Sequence, residues 1–163
     1  MDFATPQYHV PKHPVPLYHV PLHKMKYDEI IRSGRAGIFA APRIAGALRG
    51  AAKRAGVSWH DLDLDGVSDR AAFLRRCAEV LPLPGHFGGN WDALHESVID
   101  FAGGTPGAIV HWRRGAALAR RSPESVTTAL EIFQEAAMYA AGRVFLLVVD
   151  RDSAPGVDLP PLR

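Results

Sequence analysis

Residues 143–149 read RVFLLVV, and from Val144 onward every residue is apolar. A strand with one wet face alternates apolar and polar side chains. An unbroken apolar strand must be covered on both faces. That arrangement belongs to a parallel sheet with helices on either side, because parallel strands need crossover connections and the crossovers are usually helical. The rest of the chain therefore has to supply more strands and two layers of helices. A chain of 163 residues is enough for one such domain with appendages.

The other elements follow in alternation. GIFAA (37–41) is a short apolar run bounded by Gly37 and Pro42, which predicts a strand. Pro42 stands at a helix start, residues 43–55 are rich in Ala, Leu, Arg and Lys, and Gly56 is a C-terminal stop. VSWHDLDLDG (57–66) predicts a second strand carrying Trp59, Leu62 and Leu64. Ser68 is placed to cap a helix over 69–80, with Phe73, Leu74, Cys77 and Val80 inward. Leu81 to Gly89 is a loop rich in Pro and Gly. Asn90 caps the next helix, whose inward stripe is Trp91, Leu94, Val98 and Phe101. AIVHW (108–112) predicts a third strand, and Ser122, followed by Pro123 and Glu124, caps a long helix to about Ala141, with Ala129, Ile132, Phe133 and Ala136 inward and Gly142 as its stop. The fold class is α/β, with a small, mostly parallel sheet covered by helices.

Residues 1–29 are set apart as an extended arm, residues 30–150 as the folded domain and residues 151–163 as a tail. Pro6, Pro11, Pro14, Pro16 and Pro21 argue against a helix or a central strand in the arm. It also holds His9, His13, His19 and His23. Their spacing fits no compact zinc template, so a metal-binding arm stands beside the plainer reading of a flexible or partly artificial leader. No cofactor or metal is expected. One cysteine, Cys77, forbids an internal disulfide and fits a reducing, cytoplasmic setting. No run of about 18 apolar residues is present, so no membrane span is expected.

The net charge of +2 conceals an asymmetry. Lys24 to Gly56 carries eight Lys or Arg against two acids, whereas Val57 to His111 carries eight acids against three Arg. Within the acidic part lies PGHFGGNWDALHESVIDF (84–101), with Asp92, Glu96 and Asp100 and no Lys or Arg. Positions i, i+4 and i+8 share one line on a helix, and like charges there repel by roughly 0.2–0.5 kcal/mol per pair. A plain reading exists. Asp92 sits in the first turn, where the helix dipole favours an acid, and Glu96 is a solvated residue. Asp100, near the C-terminal end, is the least explained. Trp91 and Phe87 read as core.

LPLPGHFGGNWDALHESVIDF closely resembles the signature of the barstar family of ribonuclease inhibitors. The shared pattern is a Leu-Pro loop, an aromatic, Gly-x-Asn (Gly88 and Asn90 here), then Asp-Ala-Leu and a second acid. The likeness continues through 108–112 and through TALEIFQEAAMYAAGRVFLLVV, covering about residues 57–150. GIFAAP and its helix resemble an N-terminal β-α addition. The resemblance implies an inhibitor, not an enzyme, whose helix and preceding loop plug the active-site cleft of a basic, barnase-type ribonuclease or related toxin. It places the family's two key acids on Asp92 and Glu96, and an acid of the penultimate helix on Glu135. The loop aromatic becomes His86, and the residue before the second acid is His95. Those two histidines read as rim contacts or bystanders. The implied partner surface is His86, Gly88, Asn90, Asp92, His95, Glu96, Asp100 and Glu135, on a chain that is a monomer when free.

Two other classes compete. The basic 43–54 helix could bind RNA or DNA, but no aromatic is interleaved with its cations, so base stacking is not offered and no direct nucleic-acid contact is expected. His60 or His111 beside carboxylates could do acid–base chemistry. No nucleophile motif or phosphate-binding glycine loop accompanies them.

Overall fold

The computed structural model describes residues 22–85 and 87–163. The prolines and His9, His13 and His19 of the arm lie outside the described residues, as does His86. Four parallel strands make one sheet in the order β1-β4-β3-β2. They are β1 (Ala36–Ala40), β2 (Ser58–Asp63), β3 (Ala108–Arg113) and β4 (Phe145–Val149). The helices are α1 (Leu22–Arg32), α2 (Ala45–Ala55), α3 (Arg70–Val80), α4 (Trp91–Gly104), α5 (Ala116–Arg121) and α6 (Pro123–Ala137).

β4 is buried along its whole length and lies between β1 and β3. Phe145, Leu147 and Val149 point into a core built with α3, α4, α5 and α6. Leu146 and Val148 point into a second core with α1 and α2. β3 divides in the same way, Val110 and Trp112 to the first side and Ile109 to the second. Period-two side chains on a strand with two covered faces produce this split. The chain steps from β2 to β3 to β4 with its helices on one face. It returns from β1 across to β2 with α2 on the other. Reversing both direction and face keeps every crossover the same hand.

The folded part begins earlier than Ile30. α1 starts at Leu22, immediately after Pro21, and Tyr27, Ile30 and Ile31 form a buried stripe at helical spacing. The last segment is not a loose tail. Ala40 N–H donates to the Pro160 carbonyl at 2.8 Å, and Leu162 is buried in the second core. Other differences are local. Asp69, not Ser68, caps α3 by accepting from Ala72 N–H. Ser122 precedes α6, but its hydroxyl donates to the Ser68 carbonyl instead of capping. α6 ends at Ala137, and α5 stands where no helix is expected.

Candidate functional site: the outward face of α4 and α6

α4 is positioned by its buried side. Leu94, Val98 and Ala102 are fully buried, and Trp91 and Phe101 are half-buried at the two ends of the stripe. The Trp91 ring stands 5.9 Å from Phe73, and the Phe101 ring meets Phe145 edge-on at 5.5 Å. Asn90 accepts from Ala93 N–H at 2.8 Å and fixes the first turn. At the other end, Arg143 donates to the carbonyls of Gly103, at 2.7 Å, and Ala102. Its guanidinium supplies the cation that a helix C-terminus favours and that α4 itself lacks.

With that side anchored, Asp92, Glu96 and Asp100 are left exposed. Among the described residues none of the three forms an ion pair, although Asp28, Asp61 and Asp63 each pair with an arginine. Gly88 and Asn90 are exposed where the loop enters α4. Glu135 reaches the same surface from α6, where its Oε2 lies 3.1 Å from His95 Nε2. His95 is therefore a link between α4 and α6. Beyond Glu135 stand Met138, 78% exposed, and Tyr139, 51% exposed. Sequence reading passed over both, although neither belongs to the inward stripe of α6, and that was the available signal.

The competing sites look different. On α2, Arg49 pairs with Asp61 at 3.3 Å and Arg54 with Asp28 at 2.7 Å, so two of its cations are engaged within the fold. His60 bonds the Ser58 hydroxyl and meets Phe101 edge-on. Burial lowers its pKa, opposed by a hydrogen bond with the Val80 backbone. His111 is buried, with Nε2 2.7 Å from Asp150 and Nδ1 3.8 Å from Asp61, and it ties β2, β3 and the end of β4 together. Among the described residues no group of three or more His, Cys, Asp or Glu is placed to hold a metal ion. No described helix is long and apolar enough to cross a membrane. Burial raises the Cys77 thiol far above its ordinary pKa, which leaves it a poor nucleophile.

A family model described as Barstar (barnase inhibitor) matches residues 57–150. The chain belongs to the barstar family. The match takes in β2, β3, β4 and α3 to α6, and with them the whole acidic face. It leaves outside α1, β1 and α2, which pair with and pack on the barstar unit, together with the C-terminal segment. A comparison with curated proteins finds no match.

Proposed function

We propose that the chain inhibits a basic ribonuclease of the barnase type by filling its active-site cleft with the α4 face and the loop before it. The observation that carries this reading is the line of three outward carboxylates on α4, none of which forms an ion pair among the described residues. A ribonuclease cleft is built to hold phosphates and presents Lys, Arg and protonated His in a concave surface. Asp92 and Glu96 would occupy the places of two phosphates, with Asp100 adding to the attraction. Close charge pairs across such an interface couple by roughly 1.5–7 kcal/mol, a range that comes from the barnase–barstar pair itself. The repulsion stored along the free helix is small beside it.

The partner-facing set under this reading is Gly88, Asn90, Asp92, His95, Glu96, Asp100 and Glu135, with His86 in the loop. Catalysis forms no part of it, and neither does direct contact with nucleic acid. The inhibitor acts as a monomer in the cytoplasm, guarding against a ribonuclease or toxin.

The test is titration of a purified barnase-type ribonuclease with the parent and with Asp92→Ala and Glu96→Ala. Asp92→Ala should weaken the complex by several kcal/mol, mostly through faster dissociation, because it strands a cation in the partner. If both variants inhibit as well as the parent, these carboxylates are not the plug.

A further inference from the structure

The elements outside the barstar match border an open pocket of about 280 Å³ beyond the C-terminal end of β1. Its charged lining residues are Lys26 from α1, Arg43 from the β1–α2 connection and Arg151 from the turn after β4. No carboxylate lines it, and among the described residues none of the three cations has an ion-pair partner. Tyr27, Pro42, Ile44 and Leu162 supply apolar wall. Three separate chain segments thus bring like charges to one concavity. A bound anion would be attracted by all three at once. The crevice outside the carboxyl ends of parallel strands is also where open α/β sheets bind their ligands. α2 begins beside it with no side-chain cap, so the positive end of that helix adds to the same field.

We propose that this cavity binds a small organic phosphate monoester. Lys26, Arg43 and Arg151 hold the phosphate, and the apolar wall holds the organic part. The volume is near the lower end of small-molecule pockets, which suits a monoester with a group the size of one ring. The acidic face of α4 belongs to other elements, so the two sites carry opposite charge and take different ligands.

The experiment is calorimetric titration of the full chain with inorganic phosphate, phenyl phosphate and phenol at low ionic strength, where exposed charges are least screened. The expected result is one saturable site, with phenyl phosphate tighter than phosphate and no binding of phenol. Lys26→Gln, Arg43→Gln and Arg151→Gln should each weaken phenyl phosphate on the order of tenfold, as loss of a charged hydrogen-bond donor does. Arg49→Gln, which removes a cation already paired with Asp61, should leave it unchanged. All four side chains are exposed or paired at the surface, and near-ultraviolet circular dichroism verifies that each variant is folded. Absence of saturable binding overturns the proposal, as does equal weakening by Arg49→Gln. It is also overturned if a single-stranded RNA displaces phenyl phosphate and its own affinity is untouched by the three cavity substitutions.

Discussion

His95 Nε2 lies 3.1 Å from Glu135 Oε2, and this contact joins α4 to α6 across the face that carries the carboxylates. Glu135 therefore differs from Asp92 and Glu96. It already has a polar side chain 3.1 Å away, whereas neither of them forms an ion pair among the described residues. In a complex with a ribonuclease, Glu135→Gln should weaken binding by less than about 1 kcal/mol, in the range of exposed pairs. With His95→Ala in the background, Glu135 is released toward the partner, and the same substitution should cost more. A double-mutant cycle read by titration checks the coupling. Strict additivity of the two changes would mean that His95 does not hold Glu135 back.

Glu96 stands between two acids on the α4 line, four residues from each. Removing it relieves both repulsions, so Glu96→Ala should stabilise the free protein by about 0.5–1 kcal/mol. Asp92→Ala relieves one repulsion but loses a favourable acid in the first turn, so its net effect should be within about 0.5 kcal/mol of zero. Urea unfolding of the two variants tests this. A Glu96→Ala protein less stable than the parent would show that this carboxylate supports the fold.

Gly34 joins α1 to β1 with φ +71°, and a Cβ there would run into the Gly142 carbonyl. Backbone strain and overlap act together, so Gly34→Ala should destabilise by more than about 2 kcal/mol. Gly50 is the matched control. It lies inside α2, where a Cβ meets only the Arg54 side chain at 3.5 Å, and Gly50→Ala should stabilise by about 1 kcal/mol. The pair of variants, compared by thermal unfolding, reads how firmly the N-terminal elements are fastened to the sheet. Equal small effects would show that the α1–β1 turn can yield.

How much of this was visible in the chain depends on whether a residue's role is local. β4 was legible because its burial is written in six consecutive apolar residues, and Asn90 because a cap acts three residues away. α5 was not, since its six residues bury only Leu118 and are too few to show a period. Ser122 looked like a cap, but its hydroxyl is taken by the Ser68 carbonyl, 54 positions back. Leu162 sits among residues that read as a tail, and only the pairing of Pro160 and Pro161 beside Ala40 carries it into the core. The outward set of the α4 face followed from its inward stripe. The His95–Glu135 contact did not, because nothing in either helix announces the neighbour on the other.

Two titrating groups give the free protein a pH profile with two separate windows. His60 is held less basic than its ordinary 6.5, chiefly by burial beside Phe101. Below that value the unfolded chain takes up a proton that the folded protein resists, so stability falls as pH drops from about 7.5 toward 5. His60→Gln should flatten this part of the profile. Asp63 is shifted in the acid range instead. The guanidinium of Arg114, hydrogen-bonded to it through Nε at 2.9 Å, holds the carboxyl down at about 2, against an ordinary 3.8. Its contribution is fully present above 3.8 and is lost as pH falls through 2. The stability difference between the parent and Asp63→Asn should therefore be constant from pH 7 to 5 and shrink between pH 4 and 2. Urea midpoints of the three proteins across pH 2.5–7.5 separate the windows. A His60→Gln protein with the parent's slope between pH 7.5 and 5 would remove His60 as the cause. An Asp63→Asn difference that persists unchanged to pH 2.5 would show that the contact with Arg114 does not depend on the charge of Asp63.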